Sequence, residues 1–204
     1  MLVVNFETKE IRKETFLYSL LKSWHKTLED YEKSEKDLGY DYRERTNIGF
    51  LAAAATKKRC IVLEEYMCDK KRGHREISGR ADLLIIVPNN NRYQFEAKRI
   101  ELNVSSEDFD KKVKDTLNSA LGDIKKITKK YREGKPAGIV FVIPKIPKGW
   151  EDSLKNLKDK LLDLKSLNAD FSAVHFCQDI PPSKQSPCVA VVGKWYKEGE
   201  KLVN

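Results

Sequence analysis

The chain has 204 residues, of which 40% are apolar and 34% charged, with ten glycines and seven prolines. That balance excludes collagenous, mucin-like and broadly disordered chains, and the length allows one compact domain with a short extension. Lys and Arg number 39 against 31 Asp and Glu, a formal net charge of +8, which biases the chain toward polyanionic partners, although a solubilising Lys/Glu surface produces the same bias.

Along the chain, residues 9–32 carry Phe16, Leu17, Leu20, Leu21, Trp24, Leu28 and Tyr31 at three- and four-residue steps, the stripe of a long amphipathic helix. Residues 43–58 read as a second helix, with Ile48, Leu51, Ala52 and Ala55 toward a sheet. Three strands follow at 60–68, 80–87 and 93–100. Pro88-Asn89-Asn90-Asn91 turns the second into the third as a hairpin. A third helix over 106–132 is stopped by Gly134 and Pro136, and 137–143 is an apolar run suited to a buried strand. Residues 150–167 are again helical, and 171–177 and 188–196 are two further strands across the Pro181-Pro182 loop. The expectation is an α/β fold, a central mixed sheet flanked by helices in one domain: an N-terminal helix at about 9–32, a core at about 43–146 and a C-terminal helix-strand-strand extension at about 150–197.

No run approaches the roughly 20 apolar residues of a membrane-spanning helix, and the first ten residues lack a basic-then-apolar leader, so no membrane partner and a cytoplasmic location are expected. Cys60, Cys68, Cys177 and Cys188 form no C-x-x-C pair, and His25, His74 and His175 have no zinc-ligand spacing. Reduced thiols and no zinc follow. Trp24, Trp150 and Trp195 are most economically core or interface residues, and His25 and His74 surface residues.

The informative segment is Gly79-Arg80-Ala81-Asp82-Leu83-Leu84-Ile85-Ile86-Val87, followed after the turn by Tyr93-Gln94-Phe95-Glu96-Ala97-Lys98-Arg99. Alternation puts Glu96 and Lys98 on one strand face, roughly 7 Å apart, with Phe95 and Ala97 on the other. Asp82 on the neighbouring strand brings a second carboxylate. Two nearby carboxylates in a half-buried setting favour a hard divalent cation such as Mg²⁺, which keeps several waters and accepts phosphate oxygens. An ammonium beside them can orient water or offset developing negative charge. An acid two places before Lys recurs at Glu7, Asp69, Asp110, Asp123, Glu133 and Asp163. Only the Glu96 copy lies within an internal strand paired to another apolar strand with its own acid, where charge demands an explanation; a structural salt bridge among the three residues is the competing one.

Asp82, thirteen intervening residues and then Glu96-Ala97-Lys98, preceded by Gly79-Arg80 in a helix-three-strand-helix-strand order, resembles the PD-(D/E)XK, or restriction-endonuclease-like, nuclease superfamily over about 43–143. The resemblance implies an αβββαβ core and a Mg²⁺-dependent (or Mn²⁺-dependent) nuclease acting on DNA. Asp82 and Glu96 match the metal-binding acids, the Ala97 backbone carbonyl a further ligand and Lys98 the catalytic lysine. Ala81 stands where the superfamily's name has proline. Glu44 matches the acid that many members carry on the preceding helix, with Glu64 and Glu65 as competitors. Asn118 and Tyr131 stand on the third helix, where some members place a Gln or Tyr. Lys70, Lys71, Arg72 and Arg75 form a basic loop ahead of the Asp82 strand, and with Arg80 and Arg99 they are the candidate phosphate contacts. A homodimer through the N-terminal helix or the C-terminal strands fits an enzyme that cuts both strands. The alternative on the same fold is a non-catalytic nucleic-acid-binding or assembly module.

Overall fold

The computed structural model describes residues 1–6, 16–146, 154–177 and 186–199. Its organising feature is one seven-stranded mixed sheet in the order β1-β6-β7-β5-β4-β3-β2, flanked by helices on both faces. The strands are β1 (Leu2–Phe6), β2 (Ile61–Arg72), β3 (Arg75–Ile86), β4 (Arg92–Asn103), β5 (Lys135–Lys145), β6 (Phe171–Phe176) and β7 (Cys188–Trp195). The helices are α1 (Phe16–Glu35), α2 (Glu44–Thr56), α3 (Phe109–Lys126), α4 (Leu154–Leu162) and α5 (Leu164–Leu167). β4 and β5 pair in parallel and every other neighbouring pair is antiparallel. A parallel pair needs a crossover, and α3 supplies it.

β5 is a central strand, buried from Ala137 to Pro144 on both sides, as its unbroken apolar run requires. Ile139, Phe141 and Ile143 face α1 and α2 in one core cluster, while Val140 and Val142 face α3, α4 and α5 in another. The apolar stripe of α1 (Leu17, Leu20, Leu21, Trp24 and Leu28) and most of β6 and β7 are buried in these clusters. The faces expected to seat a second copy are therefore consumed by the chain's own core. Among the described residues no helix is long and apolar enough to cross a membrane.

Several boundaries move from their sequence-based positions for identifiable reasons. β1 is an added edge strand on β6, and the residues expected to begin the first helix, 9–15, lie outside the described residues, as do Trp150 and the Pro181-Pro182 loop. The basic segment expected as a loop at 70–75 is instead the tip of a long hairpin, where Arg72 pairs with Arg75 across Gly73 and His74. α3 stops at Lys126 because Ile127 turns extended and bridges Lys70, and the Thr128 N–H donates to the Asp69 carbonyl at 2.9 Å. Tyr131 accordingly sits in a short 3-10 turn after the helix. Gly134 follows with a positive φ of 49°, and a Cβ there would lie 2.3 Å from the Arg92 carbonyl oxygen, which no side chain tolerates.

None of the four cysteines is in a disulfide. His25 is not a free surface residue: its Nδ1 lies 2.6 Å from Nδ1 of the fully buried His175, whose Nε2 meets Glu32 Oε1 at 2.8 Å. Burial and the neighbouring His175 lower the His25 pKa to about 4.

Gly193 on β7 faces the buried Phe171 ring, and an added Cβ would come within 2.1 Å of it. Both groups are fixed in the core, so overpacking cannot be relieved locally. Gly193→Ala is expected to destabilise the fold by about 1–3 kcal/mol, measured as a lowered urea midpoint with an unchanged m-value.

Candidate functional site

The site forms where β3 parts from β4. Their ladder runs from Ile86↔Arg92 to Leu83↔Phe95 and goes no further, while β4 continues beside β5 to Asn103↔Lys145. At the same point the β2–β3 ladder skips one pair, Glu65 opposite Asp82, and Glu65 takes a positive φ of 46°. The interruption reverses which side chains face which way. Leu83 packs toward α1 and α2, whereas Ala81 packs with Cys68 against Ile124 and Ile127 at the end of α3. The tip of the hairpin thus curls across the face that carries Glu96 and Lys98.

Three acids gather at this fork. The Asp82 Oδ2 accepts the Ala97 N–H at 2.7 Å, so the carboxylate stands in for the missing strand partner. The Glu44 carboxylate, at the first turn of α2, has its charged form favoured by the Arg99 N–H and feels the charges of Lys98, Asp82 and Asp123. Glu96 is 2% exposed, and its Oε1 is 2.9 Å from Lys70 Nζ. Lys98 Nζ is 2.7 Å from Asp123 Oδ2 on α3, and the other Asp123 oxygen is 2.7 Å from Lys126 Nζ.

Electrostatics follow from that crowding. Burial, and then the charge of Asp82, raise the Glu96 pKa to about 7 against the pull of Lys70. Burial, with Asp82 and Asp123 adding to it, also raises Glu44, which Lys98 opposes. Burial alone would lower Lys98, but its hydrogen bond to Asp123 and the charges of Asp123, Glu44 and Asp82 hold it above the usual ammonium value. Asp123 is held below the ordinary carboxylate range: burial acts upward, and the bonds to Lys126 and Lys98 outweigh it.

Asp82, Glu96, Lys98 and Glu44 are thus brought together. Lys70 leaves the expected phosphate-facing set, because its stem crosses Gly79, with 3.2 Å between Lys70 Cδ and a Cβ built there, and its ammonium lands on Glu96. Arg80 pairs with Glu65 at 2.9 Å, and Arg45 holds the same carboxylate at 2.5 Å. Arg99 donates to the Asp41 carbonyl and pairs with Glu101. Lys71, Arg72 and Arg75 stay exposed at the hairpin tip. Glu64 is exposed on the edge strand. Asp123 was not among the expected site residues; the signal for it is an acid one turn beyond the buried Ala120, at the border of the core-facing stripe of α3.

The donor types suit Mg²⁺ or Mn²⁺: hard carboxylate oxygens, few in number, whose mutual repulsion a divalent cation relieves. Asp82 and Glu96 are the pair that would hold the ion. Among the described residues no group of three or more His, Cys, Asp or Glu side chains is arranged to hold a metal ion. The Ala97 backbone supplies its N–H at this point.

No protein-family model and no curated protein matches the chain. Among solved structures the chain is similar to one titled "Crystal structure of SSO0001", at 16% identity over 61% of each chain with a TM-score of 0.22. That match spans less than two thirds of the other protein, and the likeness is too slight to bear on fold or activity.

The raised Glu96 value has a stability consequence. The folded protein holds this proton up to about pH 7, whereas an unperturbed glutamic acid releases it near 4.5. The folded state therefore binds more protons than the unfolded one across that window, and stability falls as pH rises through it. Glu96→Gln removes the loss. Its thermal midpoint, measured with EDTA present, is expected to match wild type near pH 4 and to exceed it above pH 7, by roughly 1–3 kcal/mol in stability.

Proposed function

We propose that the chain is a metal-dependent nuclease hydrolysing phosphodiester bonds in DNA, with Asp82 and Glu96 as the acids that hold Mg²⁺ or Mn²⁺ and Lys98 as the group that assists attack by water. The observation that carries this reading is the meeting of two strand-borne carboxylates and an ammonium at the point where β3 separates from β4 in an apolar sheet. Resemblance of the Asp82 and Glu96-Ala97-Lys98 segments to the PD-(D/E)XK superfamily supports it. A bound divalent cation supplies a Lewis acid for the phosphoryl group and lowers the pKa of a coordinated water.

The protein's own contributions follow from the geometry. The Ala97 N–H fixes the rotamer of Asp82, so this carboxylate is oriented before any ligand arrives. Burial makes Glu96 a strong acceptor of positive charge. Asp123, itself fixed by Lys126, holds Lys98 protonated and in place, which suits it to counter charge growing on a phosphate oxygen or to orient water, and unsuits it to accept a proton. Glu44 reaches the same spot from α2. At the hairpin tip, Lys71, Arg72 and Arg75 present positive charge to a polyanion.

A second reading, a non-catalytic nucleic-acid-binding or assembly module, is favoured by a different observation: each charged group of the trio already has a protein partner, Glu96 with Lys70, Lys98 with Asp123 and Asp82 with the Ala97 N–H.

Cleavage separates the two. Incubated with Mg²⁺ or Mn²⁺, the protein is expected to cut plasmid or oligonucleotide DNA, and Asp82→Ala and Lys98→Ala to lose roughly 100-fold or more of that activity. No cleavage and no heat on titration with Mn²⁺ would leave the module reading. Replacing both Lys71 and Arg72 with Gln is expected to weaken DNA binding and to reduce the slope of log affinity against log salt by about two, read by fluorescence anisotropy.

A further inference from the structure

Away from the fork, the start of α1 and the adjoining ends of β4, β5 and β7 enclose a cavity of about 640 Å³, a size that suits a small ligand. Its walls are aromatic. The Phe16 and Tyr93 rings stand 5.0 Å apart and the Tyr93 and Trp195 rings 6.1 Å apart. Trp195 is only partly covered. Polar groups share the same space: the Lys135 ammonium lies 6.0 Å from the centre of the Tyr93 ring, and Asn89 and Asn91 are among the lining residues.

Tyr93 belongs to the core, whereas Phe16 and Trp195 are only partly buried against it. Lys135 has no acid partner among the described residues, although its neighbours Arg92 and Glu133 pair with each other at 2.6 Å and Arg132 lies near Glu198 at 3.7 Å. Asn91 engages Asn89 through its backbone N–H, at 3.1 Å, which leaves its side-chain amide for another partner. Flat rings offer stacking to any planar heteroaromatic, side-chain amides donate to and accept from its edge, and an unpaired ammonium takes an anionic oxygen. A ligand with all three features is a nucleotide.

We propose that this cavity binds one nucleotide of a single-stranded nucleic acid, with its base stacked on the partly exposed ring of Trp195 where Tyr93 supports it, its edge at Asn89 and Asn91 and its phosphate on Lys135. The site rests on the nucleic-acid part of the reading above and uses none of Asp82, Glu96 or Lys98. Tyr93 and Glu96 are three residues apart on β4, about 10 Å along the strand, and their side chains project from opposite faces. The cavity thus stands beside the proposed centre and does not overlap it.

The test is made in EDTA, so that loss of binding and loss of cleavage are separate results. Tryptophan emission is titrated with adenosine monophosphate and with an oligodeoxyadenylate of about a dozen nucleotides. Saturable quenching is expected, and it should vanish in Trp195→Phe. By anisotropy of a labelled oligonucleotide, Tyr93→Leu is expected to bind about tenfold more weakly. Lys135→Gln, an exposed change that spares the core, should weaken binding and lower the salt slope by about one. Tighter binding of the oligonucleotide than of the monophosphate assigns the cavity to a strand, and equal binding assigns the same chemistry to free nucleotide. Emission unmoved by both ligands, or Lys135→Gln binding as tightly as wild type with an unchanged slope, would overturn the proposal.

Discussion

When an inner strand loses its neighbour, the backbone donors that had pointed at that neighbour must find other acceptors or remain buried and unpaired, at a cost of roughly 1–3 kcal/mol each. β4 meets this constraint where β3 turns away. The first of its donors on that side, the Ala97 N–H, is taken by the Asp82 carboxylate of the departing strand, and the next, the Arg99 N–H, faces the Glu44 carboxylate of α2 and favours its charged form. Acids are suited to the task because a charged acceptor makes a stronger bond to a backbone N–H than a neutral one. The consequence is that Asp82 is anchored by main-chain geometry within electrostatic reach of Glu96, which is itself nearly sealed from water, while Glu44 acts on Asp82 and Lys98 from α2. The charge cluster is thus a product of how the sheet opens.

A concentration of acid of this kind has to be balanced, and the same local distortion brings the balance in. Glu65 and Asp82 form the skipped pair of the β2–β3 ladder, and past it the hairpin presents Tyr66, Cys68 and Lys70 to the α3 side. Without that reversal Lys70 would project away from the site. Gly79 clears the path, since any side chain there would press on the Lys70 stem. Lys98 is steadied from the other direction by Asp123, which is in turn held by Lys126. Two ammonium groups therefore approach from two different elements, one on the hairpin and one on β4, and each is fixed by an acid that burial makes dependent on it.

The layered α/β sheet was legible in the sequence because its signals are periodic: the stripe of α1, the alternation around the β3–β4 turn and the unbroken run of β5 each have one economical reading. Asp82, Glu96 and Lys98 were legible for the opposite reason, as charges interrupting apolar strands. Lys70 is hard to place from sequence because Asp69, Lys70, Lys71 and Arg72 look like a solvated loop, whereas an outer strand of a sheet carries such charges readily. Its alternation with Tyr66 and Cys68 is the local sign that the strand continues. Asp123 falls on a lysine-rich helix whose polar residues all look alike, and only the three-dimensional approach of α3 to β4 singles it out. β1 is five residues long and gains its place from β6, over 160 residues away in the chain; no local window contains that partner.

The pleat of β4 separates two kinds of chemistry by parity. Odd positions Tyr93, Phe95 and Ala97 face α1 and α2, so an aromatic side chain there joins the core or its margin. Even positions Glu96 and Lys98 face α3, where the hairpin closes over them. A polyanion touching both the Tyr93 margin and the Glu96 side cannot run along one flat surface. It would have to pass around the end of the sheet, where β4 and β5 begin and where Lys135 is exposed. A duplex with a persistence length near 150 base pairs resists that turn, and a single strand does not. If both sites serve one substrate, the geometry of the strand that connects them selects an unpaired or frayed end over the interior of a helix.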